Sequence, residues 1–447
     1  MKNVDLACEC PIEAARREEL AHLPKVVIVG AGFGGLSAAK ALARVHVHVT
    51  LIDRRNHHLF QPLLYQVATA GLAPTQIATP IRAIVRKQRN TDVVLGEVDG
   101  IEMECQQVRL GERRVPYDYL ILATGARHSY FGRDEWERFA PGLKTLEDAT
   151  EHRKRILLAF ERAELEDDPA ERARLTTFVV IGGGPTGVEM AGAIAELAKK
   201  ALASDYRRIN PQCARIVLVE AAPRLLGAFP EDLSEHARCA LKKLGVEVRL
   251  SHAVSACDAE GVTLGGERIE SRCVIWAAGV QSSPAARWLG APSDRAGRVV
   301  VAADLSVAGH ENVFVIGDCA SALGRDGAPL PGVAPVAKQQ GEHVAKAIAR
   351  GLRGKKARPF VYADYGSMAT IGRKAAIADF RGLHLKGFIG WLVWSAAHVY
   401  FLIGFRNRIA VTLDWAWSYL TFERGARLIT GDIAEPQRAA DSRRAAA

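Results

Sequence analysis

A chain of 447 residues, 49% hydrophobic and 24% charged, is long enough for two or three domains with large cores and is not a disordered polymer. Its net charge of +9 fits a soluble basic protein or one drawn to an anionic surface, while the lack of zinc-finger spacing and of basic blocks interleaved with aromatics argues against nucleic acid. Eight cysteines, at 8, 10, 105, 213, 239, 257, 273 and 319, include no C-x-x-C and argue against a disulfide framework.

The first 23 residues carry Glu9, Glu13, Arg16, Arg17, Glu18 and Glu19 without an apolar run. They read as an extension or short amphipathic helix, not as a secretory signal. Cys8 and Cys10 are the one close cysteine pair and read as unremarkable thiols. Lys25-Val26-Val27-Ile28-Val29 reads as a buried parallel strand, Gly30-Ala31-Gly32-Phe33-Gly34-Gly35 as a tight turn and residues 36–43 as a helix. That context makes G-x-G-x-x-G a dinucleotide-binding pattern. Gly30 permits the turn, Gly32 lets the backbone approach a pyrophosphate, and Gly35 lets helix and strand pack closely. The helix N-terminus then offers free N–H groups to the phosphates. A second strand over 45–52 ends in Asp53, 21 residues after Gly32, where a carboxylate is expected to bind a ribose diol.

Residues 54–66 show neither helical nor strand period and read as a polar-aromatic lid over the nucleotide. His57 and His58 have no acidic or cysteine partner nearby in sequence, so they read as surface or cofactor-lining residues and no metal is expected. Residues 75–90 read as a basic helix. Two short strands then lead to a buried strand ending in Ala123-Thr124-Gly125, small residues suited to the ligand crevice of a parallel sheet. Residues 146–175 read as a connecting helix.

The opening pattern then recurs. Phe178-Val179-Val180-Ile181 is a strand, Gly182-Gly183-Gly184-Pro185-Thr186-Gly187 a second glycine turn, 188–203 a helix, and 216–219 a strand ending in Glu220. Two copies of the fingerprint imply two dinucleotides. The extra spacing before Glu220 falls in 204–213, which reads as an inserted loop. A carboxylate at 220 accepts from a ribose 2′-OH and repels a 2′-phosphate, and Ala221 and Ala222 follow, so NADH is expected over NADPH; Arg224 is near enough to oppose that preference. Residues 273–279 repeat the strand ending in small residues, and 312–319 form a strand ending in Gly317-Asp318, whose carboxylate suits a ribityl hydroxyl.

These residues resemble the two-dinucleotide-binding-domain flavoproteins and, more narrowly, the type II (non-proton-pumping) NADH:quinone oxidoreductases. The likeness covers residues 24–431 and is most specific in 53–68, 182–192, 317–320 and 365–430. It implies an α/β fold of two Rossmann-like dinucleotide-binding domains, the second inserted in the first, plus a C-terminal membrane-associating α-helical segment. The expected boundaries are an extension over 1–23, an FAD-binding domain over 24–145 and 286–358, an NADH-binding domain over 146–285, a membrane-anchoring region over 359–431 and a disordered tail over 432–447. By this resemblance Gly30, Gly32, Gly34, Gly35, Asp53, Arg54, Thr124, Gly125, Gly317 and Asp318 hold FAD, and Gly182, Gly184, Gly187, Glu220 and Gly279 hold NADH. The same resemblance implies that hydride passes from NADH to the flavin and that two electrons go on to a quinone, ubiquinone or menaquinone, without proton pumping. Glu189 is expected near the flavin–nicotinamide junction, positioning substrate or relaying a proton; its alternative role is a charge favourable at a helix N-terminus. The family's quinone motif, Ala-Gln-x-Ala-x-Gln-x-Gly, corresponds to residues 334–341. Gln339 matches the second glutamine, Pro335 replaces the first, and Lys338 or a backbone group is the expected substitute.

The tail bears on the partner. Residues 387–405 contain no Lys, Arg, Asp or Glu, a second apolar stretch spans 409–422, and Trp391, Trp394, Trp415 and Trp417 cluster there. Three readings stand: a buried subdomain, one transmembrane helix at 387–405, or a monotopic anchor. The resemblance favours the anchor, placing the protein peripherally on the cytoplasmic face of the cell membrane through 387–422, with a homodimer as a further partner. The rival functions are a flavin-dependent reductase of a soluble protein acceptor and a flavin- and NADH-binding interaction protein with incidental turnover. A disulfide or sulfide oxidoreductase would need a close cysteine pair after the first fingerprint, and none occurs.

Overall fold

The computed structural model describes residues 16, 18–421 and 423–431. Cys8, Cys10 and the 432–447 tail lie outside the described residues. Within the N-terminal extension, residues 18–21 are helical and Arg16 donates to the Asp92 carboxylate at 2.7 Å. The chain forms two compact units: residues 1–60, 78–134 and 279–367, and residues 61–77, 135–278 and 368–447.

The first unit is built on a six-stranded sheet in the order Ser306–Val307, His310–Val315, Tyr119–Leu122, Lys25–Val29, His48–Asp53, Thr91–Leu95. All neighbours but the first pair are parallel. A central parallel sheet covered on both faces needs continuous apolar strands, and Val26, Val27, Ile28, Leu51, Ile52, Leu120 and Ile121 are all buried. The helix Phe33–Ala41 crosses the helix Ala334–Gly351 at a glycine contact: a Cβ on Gly341 would lie 2.2 Å from the Gly34 carbonyl oxygen.

The second unit repeats the plan with four parallel strands in the order Val246–Arg249, Arg215–Val219, Thr177–Ile181, Cys273–Trp276. The helix Leu146–Leu165 starts at a capping box in which Thr145 and Asp148 satisfy each other's backbone N–H groups. The helix Pro185–Glu196 follows the second glycine turn, and Gly192 on it lets the Ile371 carbonyl come so close that a Cβ would sit 2.1 Å away. Ile371 belongs to a three-stranded sheet, Ser367–Gly372, Ala375–Phe380 and Leu383–Lys386, that precedes two C-terminal helices, Gly387–Phe401 and Phe405–Thr421.

The α/β fold with two Rossmann-type sheets and C-terminal helices is as expected. Three local readings need correction. Residues 54–66 are not without regular structure: His57–Leu59 is a strand paired with Ala78–Pro80, Leu64–Ala68 is a helix, and His58, Phe60, Leu63, Leu64 and Tyr65 are buried. Residues 75–90 are not one helix, because Pro80 disfavours helical backbone at the residue before it; Ala78–Pro80 is extended between the short helices Pro74–Ile77 and Ile81–Val85. The apolar stretch at 387–405 is not one spanning helix. It is helical over the 15 residues Gly387–Phe401 and breaks at Leu402, so its axial length of roughly 22 Å is short of a bilayer core. Among the described residues no helix is long and apolar enough to cross a membrane.

Candidate active site

The first glycine turn is built from three different steric demands. Gly30 has φ of +100°, and a Cβ there would lie 2.3 Å from the Ala123 carbonyl oxygen. Gly35 would place a Cβ 1.8 Å from the Gly30 oxygen. A Cβ on Gly32 would meet nothing within 4 Å, which leaves a cradle open to a ligand. Gly34 faces Ile316 and Ala337, so its smallness serves the helix crossing. The Asp53 carboxylate accepts from the Ala31 N–H at 2.6 Å and from the Arg55 N–H at 2.7 Å. On the other side of Ala31, the carbonyl accepts from Nδ1 of buried His58 at 2.9 Å. Burial is the main cause that lowers the pKa of His58 and keeps the ring neutral.

Thr124 and Ser283 share a hydroxyl hydrogen bond of 2.6 Å, and Gly125, at φ of +67°, borders open space. Gly317 has φ of +74°, and its N–H donates to the side-chain oxygen of buried Gln340 at 2.6 Å. Asp318 is half-buried, with a carboxylate oxygen 3.2 Å from where a Cβ on Gly332 would stand. Open cradles at Gly32 and Gly125 and two carboxylates suited to ribose and ribityl hydroxyls fit the dinucleotide expected here. Arg54 lies 3.7 Å from Glu97, both side chains exposed.

The second turn reproduces the first. Gly182 has φ of +111° and leaves 2.5 Å between a notional Cβ and the Ala277 oxygen; Gly187 leaves 1.8 Å to the Gly182 oxygen; Gly184 borders open space. Glu220 accepts from the Gly183 N–H at 2.5 Å and from the Ala222 N–H at 2.7 Å, the same two positions that Asp53 serves. The Gly183 carbonyl accepts from the Leu226 backbone N–H at 2.8 Å. Arg224 donates to the Phe229 carbonyl at 2.9 Å and the Gly227 carbonyl at 2.7 Å, so its guanidinium is held by its own loop. Gly279 is assigned by contacts to the first unit, where its carbonyl accepts from the Ser129 N–H at 3.2 Å and its α-carbon faces the Phe131 ring.

A cavity in the second unit collects residues far apart in sequence: Tyr65, Glu189, Thr370, Trp391, Trp415 and Arg424 are among those that line it. Burial pushes the Glu189 carboxyl up to about 8, opposed by a long 3.4 Å hydrogen bond from the Thr370 N–H. The Trp415 indole N–H donates to Gln66 at 2.8 Å, and the Gln66 amide donates to the Tyr65 hydroxyl at 2.9 Å. Trp391 stacks on Tyr419 at 5.6 Å, and Trp394 lies 5.3 Å from Trp415. Buried Arg424 donates to the Thr69 carbonyl at 2.7 Å and pairs with Glu196 at 3.3 Å, tying the C-terminal segment to the cavity wall.

Of the residues expected at the quinone motif, Gln339 is occupied by the Ala363 backbone, donating to its carbonyl at 2.8 Å and accepting from its N–H at 2.9 Å. Lys338 is exposed; after burial, its charge is the second cause that lowers the pKa of Lys40. Sequence reasoning missed Gln340, Tyr65, Gln66, Thr370 and the role of His58. Only the paired histidines and the polar-aromatic run gave any sign of them.

Residues 24–349 match the family model of the pyridine nucleotide-disulphide oxidoreductases, and 365–424 match the NDH2 C-terminal domain. The first match defines the class, that of the two-Rossmann oxidoreductases. Two proteins of Mycobacterium tuberculosis (strain ATCC 25618 / H37Rv), the type II NADH:quinone oxidoreductases Ndh and NdhA, are each 47% identical, over 91% and 92% of this chain and 90% of each relative. A type II NADH:quinone oxidoreductase of Staphylococcus aureus (strain NCTC 8325 / PS 47) is 30% identical over 81% of this chain and 91% of its own length. Among solved structures, NDH2 from Plasmodium falciparum in complex with NADH matches with a TM-score of 0.84 at 20% identity, covering 92% of this chain and all of that one. The sulfide:quinone oxidoreductase of Aquifex aeolicus shares the fold with a TM-score of 0.70 at 19% identity, covering 86% of this chain and 92% of that one. The chain belongs to the type II NADH:quinone oxidoreductase family.

Proposed function

We propose that this chain is an FAD-dependent enzyme that oxidises NADH and reduces a quinone. The observation that carries the reading is the doubled turn, each copy with an open glycine cradle and a carboxylate clamped beneath it. Bound FAD supplies the two-electron relay between NADH and quinone. We assign FAD to the first turn with Asp53, Thr124, Gly125, Gly317 and Asp318, and NADH to the second with Glu220. Glu220 favours a 2′-hydroxyl, and Arg224, held by two carbonyls of its loop, is not free to pair with a 2′-phosphate.

We assign the quinone to the cavity that Glu189 shares with the C-terminal aromatics. The Trp and Tyr rings offer flat apolar faces to a quinone ring. Reduction of a quinone by NADH consumes one proton from the protein or solvent, and a carboxyl that stays protonated to about pH 8 supplies it at Glu189 Oε. Gln339 and Lys338 remain candidates for contact at the helix start, Gln339 through release from Ala363.

The C-terminal helices leave Phe388, Ile389, Leu392, Phe405, Leu413 and Trp417 exposed, with Arg406 and Arg408 beside them. We propose that this face docks on the cytoplasmic leaflet, where a lipid-dissolved quinone is reached, and that a second copy of the chain is the competing occupant. The test of the assignment is Glu189→Gln. Loss of quinone turnover with unchanged flavin bleaching by NADH is expected; equal loss of both half-reactions would remove Glu189 from the quinone step. Flotation with anionic vesicles tests docking. Trp417→Glu with Leu413→Glu should abolish it, and unchanged flotation would contradict it.

A further inference from the structure

We propose that His58 is a positioning residue of the first nucleotide turn: its Nδ1–H holds the Ala31 carbonyl so that the Gly32 N–H, on the opposite side of the same peptide, is aimed at the FAD pyrophosphate. The proposal rests on FAD occupying the first turn.

A single peptide plane links the two groups. Every described peptide bond is trans, so the Ala31 carbonyl and the Gly32 N–H point in opposite directions. The carbonyl accepts from His58 at 2.9 Å, and a carbonyl acceptor requires that Nδ1 carry the proton. The Gly32 N–H therefore points away from the imidazole, and around Gly32 a Cβ would meet no protein atom within 4 Å. The Ala31 N–H is fixed separately by Asp53 at 2.6 Å. With both of its own polar groups held, Ala31 has no freedom to turn its peptide away from the ligand.

The second turn holds the corresponding peptide in the same way. There the Gly183 N–H is held by Glu220 and the Gly183 carbonyl by a backbone N–H, that of Leu226. Leu226 takes φ of +50°, a left-handed backbone unusual for a residue with a side chain, to present that N–H. In the first turn an imidazole does the same work from the strand His57–Leu59. His58 is buried and meets the Phe33 ring edge-on at 5.1 Å, so its ring has one orientation.

The test measures FAD release from the holoenzyme by flavin fluorescence after dilution. His58→Asn places an amide N–H where Nδ1–H stands, His58→Gln places it nearer the Nε2 position, and His58→Leu has none. Leu and Gln should release FAD about tenfold faster than the parent, the scale of one hydrogen bond, and Asn within about threefold. NADH affinity at the second turn should be unchanged in all three. Equal release by Asn and Gln, fast or slow, overturns the proposal, and that pair suffices where the leucine variant does not fold. A parallel loss of NADH affinity also overturns it, since that would mark a general packing role. Gly32→Val serves as the control for the underlying placement: FAD retained as in the parent would move FAD out of the first turn, and the proposal with it.

Discussion

The two glycine turns answer the same geometric problem with different parts. In each, a carboxylate at the end of the second strand accepts from the N–H of the turn's second residue, Ala31 or Gly183, and from the N–H two residues beyond itself. In each, the middle carbonyl is held from the other side. The first turn uses the His58 side chain and the second the Leu226 backbone. The carboxylate is therefore part of the turn itself, with its oxygens oriented by backbone N–H groups. The largest difference lies in the helices that leave the turns. Five residues after the cradle glycine the first helix carries Ser37, and the second carries Glu189, the group with the raised pKa. The two turns share a scaffold, and the one position where their helices differ in this way holds a buried carboxyl.

The largest effects should come where a side chain cannot fit at all. Gly35→Val and Gly187→Val each drive a Cβ to 1.8 Å from a backbone oxygen, and both should lose upwards of about 4 kcal/mol, read as loss of folded protein or a collapsed melting temperature. Unequal losses would break the equivalence of the turns. Gly32→Ala and Gly184→Ala, which meet no protein atom, should keep the melting temperature of the apoprotein.

Next in size is Glu189→Gln, with kcat for quinone reduced about a hundredfold or more. In the parent, the quinone step should fall off above about pH 8, and the variant should lose that limb. Stability carries the same signature. The folded chain keeps a proton that the unfolded chain releases, so this contribution is complete at low pH and is lost as pH rises towards 8. Relative to Glu189→Gln, the parent should melt progressively lower from about pH 5 to about pH 8.

Glu220→Ala should weaken NADH about tenfold and leave FAD bound, whereas Asp53→Ala should weaken FAD and leave NADH affinity unchanged, each scaled to hydrogen bonds of a charged acceptor. Crossed effects would contradict the assignment of one nucleotide to each turn. The smallest effect belongs to Arg54→Ala. Its pair with Glu97 is exposed on both sides and long, so FAD affinity should move by less than about threefold.

Both turns were legible in the sequence because their chemistry is local. Strand, glycines, helix and carboxylate lie within a few dozen residues, and even the 204–213 insertion left Glu220 at the end of the right strand. Gly34 belongs to the same motif but answers to Ile316 and Ala337, which are distant in sequence and which no local reading detects. The run from His57 to Ala68 lacked a period because it is a strand, a short 3-10 turn and a helix in succession, each too short to repeat. The cavity was illegible for a related reason. Tyr65, Glu189, Thr370 and Trp391 come from four separate elements and Arg424 from the segment after the last helix, and only packing brings them together. The tail's apolar character was evident, but the packing of its first helix on the sheet before it is a tertiary contact, Gly390 against the Ala376 carbonyl, that sequence pattern does not show.

The most direct test of NADH-driven quinone reduction is anaerobic. Protein purified in mild detergent is mixed with NADH and then with a short-chain ubiquinone while the visible flavin absorbance is monitored. Rapid bleaching by NADH and rapid recovery with quinone are predicted. No bleaching, or bleaching that quinone does not reverse, would contradict the account.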